Sequence, residues 1–132
     1  MNPVVHFELP YDDAARIARF YGAVFGWQMQ QLGPEMGHYV LATTAQDDAV
    51  GKGRRGAIDG GFFPRSPDMP GQHPSVVIAV EDVQAAMQAV QDAGGQVLGT
   101  PMQIPGVGRY VAFHDTEGNR LSMLQPDPRP GG

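Results

Sequence analysis

The chain has no cysteine. That excludes disulfides, thiolate nucleophiles and cysteine-ligated metals. It also lacks any apolar run near the ~18 residues of a membrane-spanning helix. Charged residues are scarce, at 17%, yet hydrophobic residues reach 42%. A chain that apolar can build a core, so general disorder is excluded. Basic residues are outnumbered, nine Lys and Arg against 14 Asp and Glu, for a formal net charge of −5. Nucleic acid attracts basic surfaces, so no nucleic-acid partner is expected. The opening Met1-Asn2-Pro3-Val4 does not read as a signal peptide. The expected location is cytoplasmic, with no membrane partner.

Glycine and proline are plentiful, 18 and 12. They are spread between apolar runs, which suits tight turns in a strand-rich domain rather than a linker. Only residues 126–132, Pro-Asp-Pro-Arg-Pro-Gly-Gly, read as a flexible tail. Residues 1–125 are expected to form one domain.

Two halves of the chain share a pattern. From Val4 to Leu9 the residues alternate, with Val5, Phe7 and Leu9 on one face and His6 and Glu8 on the other. This predicts a strand that Pro10 ends. Asp13 can cap a helix carrying Ile17, Phe20, Tyr21 and Val24 at helical spacing, and Gly26 can stop it. From Ser75 the pattern returns: Val76, Ile78 and Val80 in a strand, Asp82 as cap, then Val83, Ala86, Met87 and Val90, then Gly94-Gly95. Asp13 to Asp82 and Gly26 to Gly95 are both 69 positions apart. A strand follows each helix (27–32 and 96–104), then Gly-x-Tyr-Val at Gly37-His38-Tyr39-Val40 and at Gly108-Arg109-Tyr110-Val111. Last strands are expected near 57–63 and 119–125.

The expected fold class is therefore α+β, with tandem βαβββ modules at about 3–63 and 74–125. One helix covers one sheet face, so paired modules would form an open eight-stranded half-barrel with helices outside and a cleft inside. The strand phase then aims His6 and Glu8 into the cleft, with Ser75, Val77 and Ala79 in the second half. Of Phe62 and Phe63 one should line the cleft, and Phe62 is taken as the ligand-binding candidate. His6 and Glu8 could do acid–base work, since imidazole and carboxylate tune each other. The alternative is a satisfied structural pair. Ser75 and Ser122 could hydrogen-bond a ligand but lack a base that would make them nucleophiles. His38, His73 and His114 are scattered and read as surface or hydrogen-bonding groups. Gly51-Lys52-Gly53-Arg54-Arg55-Gly56 lacks the Walker pattern and reads as a basic surface loop.

Two stretches carry a family resemblance. They are Phe20-Tyr21 through Phe25-Gly26-Trp27, and Phe113-His114-Asp115-Thr116-Glu117-Gly118-Asn119. Together they resemble the vicinal oxygen chelate superfamily of glyoxalase I, bleomycin-resistance proteins and extradiol dioxygenases, over about residues 4–125. The resemblance implies paired modules, frequent dimers and a divalent metal in the cleft, held by His, Gln or Glu and acting as a Lewis acid. Of the implied ligand positions, His6 matches. The equivalent position in the second module is Ser75, and the last-strand position is Ser122, and neither matches. Asp59 is the sole candidate on the first module's last strand.

The expectation is thus a homodimeric small-molecule-binding protein without the usual metal site and without another cofactor. The alternative is a glyoxalase-like lyase or isomerase. That enzyme would depend on a metal held through His6, or be metal-free with Glu8 as base and His6 as its partner.

Overall fold

The computed structural model describes residues 1–45, 56–68 and 72–128. These residues form two compact units. Residues 6–74 make one, and residues 1–5 join residues from 75 onward in the other.

In the first unit, β1 (Val4–Tyr11) leads to α1 (Ala14–Phe25), β2 (Gln28–Gln31), a 3-10 turn (Pro34–Met36), β3 (Val40–Thr43) and β4 (Asp59–Pro64). The strand order is β2-β3-β4-β1. β1 runs parallel to β4, and the other pairs are antiparallel. Pro10 does not end β1, which continues to Tyr11 in register with Pro64. A proline removes one N–H from the ladder but leaves the neighbouring groups able to pair, and Arg65 N donates to Tyr11 O.

The second unit repeats this plan with β5 (Ser75–Ala79), α2 (Val83–Asp92), β6 (Gln96–Ile104), β7 (Gly108–His114) and β8 (Arg120–Pro126). The order is β5-β8-β7-β6, again with one parallel pair, β5–β8. Each unit is a βαβββ module of identical topology. Eight strands and two α-helices are thus present among the described residues.

The helix signals act as the spacing predicts. Asp13 accepts from Arg16 N, and Asp82 accepts from Gln84 N and Ala85 N. Gly26 is left-handed (φ 72°) and closes α1. In α2 the left-handed residue is Gly94 (φ 97°), one position earlier than the repeat implies. Gly95 serves a different end: a Cβ there would lie 2.7 Å from His114 O, so only glycine permits that close approach. Asp115 staples the second resemblance stretch. Its carboxylate accepts from Glu117 N, Asn119 N and Asn119 Nδ2. Those bonds, led by the Asn119 side chain, hold it below the ordinary aspartate value. That stretch is a turn-making device.

Each module has its own core. In the first, Tyr11, Val40, Ala42 and Phe62 are buried, with Phe7, Leu9, Ile17, Tyr21 and Trp27 packed on them. Trp27 stacks on Tyr21 at 4.8 Å beneath α1. In the second, Val80, Val83, Val111 and Met123 are buried under α2. Val5 departs from the expected helix-facing set, being 38% exposed.

Phe62 is fully buried, at 0% exposure, and touches the Phe7 and Tyr21 rings. Phe62→Ala should destabilise the protein by about 3–5 kcal/mol. Phe25→Ala, at a 60% exposed position, should change stability by no more than about 0.5 kcal/mol. Urea unfolding of the two variants checks the contrast.

Candidate functional site

The site begins with the alternation of β1. Phe7 turns to the core, and its ring lies over Gly60, where a Cβ would come within 2.4 Å of it. His6 and Glu8 project from the opposite face, in register with Asp59 and Gly61 of β4. Gly61 has no side chain to fill that face. The ring of Tyr39 takes the space: a Cβ on Gly61 would lie 2.1 Å from it. The adjacent glycines thus open room on both sheet faces, one for Phe7 and one for Tyr39.

Tyr39 is held there by its own backbone. Leu32 N donates to Tyr39 O, and Tyr39 N donates to Met36 O. Gly37 (φ 64°) and His38 (φ 57°) are both left-handed, which swings the chain back before β3. Tyr11 Oη donates to His38 O at 2.6 Å and secures the turn. Burial raises the Tyr11 phenol above its ordinary value, which keeps that donor protonated.

The Tyr39 hydroxyl bridges two side chains. It donates to Glu8 Oε2 at 2.9 Å and lies 2.8 Å from His6 Nε2. A phenol carries one proton. With that proton on the Glu8 contact, His6 must donate from Nε2, which fixes its neutral tautomer as Nε2–H. Burial lowers the His6 pKa, and the Glu8 and Asp59 carboxylates oppose that effect without reversing it.

The other sequence candidates fall elsewhere. Asp59 accepts from Thr44 N through Oδ1. Phe62, expected to face the cleft, lies instead on the α1 side, where the apolar face of β1 meets the helix, and has no exposed surface. In the second unit Ser75 Oγ donates to Arg120 O at 3.1 Å. Ser122 Oγ donates to the Tyr110 hydroxyl at 2.5 Å. Ser122 and Val77 are register partners, each only 3% exposed. His38 makes the turn before β3, His73 is exposed, and His114 ends β7. Of the basic loop, residues 51–55 lie outside the described residues.

Sequence reasoning missed Tyr39. The signal was present in the repeated Gly-x-Tyr-Val. Both tyrosine hydroxyls contact polar side chains of their own module, His6 and Glu8 for Tyr39 and Ser122 for Tyr110.

A divalent metal does not fit these residues well. Among the described residues no three His, Cys, Asp or Glu side chains gather as ligands. At the family's ligand positions stand one imidazole, already bonded to Tyr39, the Asp59 carboxylate, which accepts from Thr44 N, and two serine hydroxyls, both bonded within their module. Neutral hydroxyls are poor donors for such ions.

The lowered His6 pKa has a stability consequence. The unfolded chain protonates near the ordinary value, ~6.5, before the folded chain does. Stability should therefore fall as pH drops below about 6.5, through the window down to the folded pKa, and His6→Gln should flatten that fall. Thermal unfolding from pH 7.5 to 5, with NMR titration of the His6 ring, checks it.

Comparison with known proteins agrees with this architecture. The chain is 33% identical over 122 residues to the glyoxylase-named protein CFP32 of Mycobacterium tuberculosis, covering 92% of this chain and 43% of that one. It is 35% identical over 127 residues to the anthracycline biosynthesis protein DnrV of Streptomyces peucetius, covering 89% and 44%. The chain thus spans less than half the length of either. Among solved structures, methylmalonyl-CoA epimerase from Mycobacterium tuberculosis superposes with a TM-score of 0.69 at 13% identity, covering 95% of this chain and 88% of that one. That likeness is one of fold. The family model described as Glyoxalase/Bleomycin resistance protein/Dioxygenase superfamily matches residues 4–123, and the chain belongs to that superfamily.

Proposed function

We propose that the protein binds a small molecule at the polar face of its first module, and that it does so without a metal. The observation that carries this reading is the His6–Tyr39–Glu8 cluster. In it the one matching ligand of the family is tied into a hydrogen-bonded group of protein atoms. Glu8 is the anchor for the ligand, and Tyr39 and His6 orient it. The names of the relatives, a glyoxylase and an anthracycline biosynthesis protein, agree with a small organic ligand. A homodimer agrees with relatives more than twice this length, which have room for a second such domain.

A second reading is favoured by the same carboxylate. Glu8 beside a phenol and an imidazole is equipped to move a proton, as in a metal-free lyase or isomerase. In such an enzyme Glu8 is the base, and His6 and Tyr39 stabilise its charge. The two readings separate on Glu8→Gln: loss of turnover with binding retained marks the enzyme, and loss of binding marks the anchor.

Two measurements test the proposal. After incubation with Mn, Fe, Co, Ni, Cu or Zn and desalting, elemental analysis should find almost no metal on the chain. About one metal per chain, lost in His6→Ala, would overturn metal independence. For a ligand found by thermal-shift screening, Glu8→Gln should weaken binding about 10- to 100-fold, the scale of a lost hydrogen bond to a charged group. Unchanged affinity would remove Glu8 from the site.

A further inference from the structure

The second module carries a cation that its own acidic residues do not answer. Phe113 and Met123 pack into the core under α2. Side chains alternate along a strand, so His114 and Arg120, at odd offsets from them, project from the opposite face. The two are register partners across β7 and β8, and Gln96 of β6 pairs with His114 on its other side. Side chains so paired have Cβ atoms about 4.5–5.5 Å apart. Gln96, His114 and Arg120 therefore form one row across three strands. Arg120 and His114 are half-buried. Ser75 Oγ donates to Arg120 O and pins the start of β8.

Among the described residues no carboxylate pairs with Arg120. The acids of its module are engaged elsewhere. Asp82 caps α2, Asp92 accepts from Gln88 Nε2, Glu117 accepts from Thr116 Oγ1, and Asp127 accepts from Gln103 Nε2. Asp115 lies close enough to His114 for their charges to attract, yet both its oxygens are bonded in the turn to Glu117 and Asn119. Glu81 follows the far end of β5 from Ser75. Nor does the fold require a cation here. Arg120 opens the last strand of its module, and the residue that opens the last strand of the first module is Asp59.

We propose that Arg120 and His114, with Gln96 beside them, form an oxyanion subsite that takes the carboxylate or phosphate group of a small organic molecule. The subsite is built within the second module alone and does not rest on the ligand reading of the first. Guanidinium presents a planar fork of N–H donors and no acceptor, which matches two oxygens of either group. Imidazole brings an N–H in either charge state, and the glutamine amide adds its own donors. Partial burial strengthens the contact, because less water screens it. The whole chain carries a net charge of −5, so selection of an anion must come from this local contact rather than from long-range attraction.

The test uses full-length ¹⁵N-labelled protein and three probes, benzoate, phenyl phosphate and benzylammonium, at constant ionic strength. Benzoate or phenyl phosphate should shift the Arg120 Nε–H and His114 ring signals saturably, and the tighter of the two names the group that the subsite prefers. Benzylammonium should leave both signals unmoved. Arg120→Gln should weaken anion binding at least about tenfold, ~1.4 kcal/mol. Arg120→Lys, which keeps the charge and loses the fork, should fall between the two. Affinity that survives Arg120→Gln would overturn the proposal, as would equal binding of benzylammonium at the same signals. No saturable response to either anion at millimolar concentration would overturn it as well. If Arg120→Gln does not fold, Arg120→Lys decides: affinity equal to the wild type would remove the arginine fork as the contact, and the proposal with it.

Discussion

The parallel pairing of β1 with β4 is the constraint on which the first module depends. Because side chains alternate along a strand, fixing His6 against Asp59 fixes every later neighbour. Phe7 must then meet Gly60 on the helix side, and Glu8 must meet Gly61 on the other. A slip of one residue would bring His6 and Glu8 to α1 and turn Phe7 and Leu9 away from it. The apolar core and the polar cluster are two faces of a single register. The chemistry of the cluster is therefore protected by the hydrophobic effect, although no apolar side chain takes part in it.

Much of the architecture was legible because its signals are local. Asp13 and Asp82 cap helices through bonds that reach only two or three residues ahead. The alternation of β1 and the repeat spacing give the modules directly. The details misjudged or left open are those decided at longer range. Pro10 stays within β1, and within the Gly94-Gly95 stop that the spacing predicts the two glycines divide the work, Gly94 taking the left-handed turn and Gly95 the place where Val90 and the His114 carbonyl leave no room for a side chain. Phe62 and Phe63 were told apart only by the pairing of β4 with β1 and β3, which puts Phe62 in the core.

The site was half legible for the same reason. His6 and Glu8 lie two apart on one strand, so their shared face could be read from period two. Tyr39 is 31 residues from Glu8 and 33 from His6, and the Gly-x-Tyr-Val around it marks the tyrosine as repeated without saying which side chains it meets. It reaches them because Gly37 and His38 turn the chain and Gly61 leaves a gap. These are three separate facts that acquire meaning only when β3 and β4 are adjacent. The two Gly-x-Tyr-Val copies also differ in use. The first makes a turn before β3, while the second lies wholly inside β7.

The first five residues belong with the second module rather than the first, and Ala79 N donates to Pro3 O. The opening of the chain therefore has no finished partner until residue 79 has been made. On a ribosome its backbone must wait for that partner while the whole first module emerges. Such nonlocal closure slows folding. It also makes the N-terminus a part that the second half of the molecule needs: an extension or tag fused there acts on the later module, not on the one that follows it in sequence.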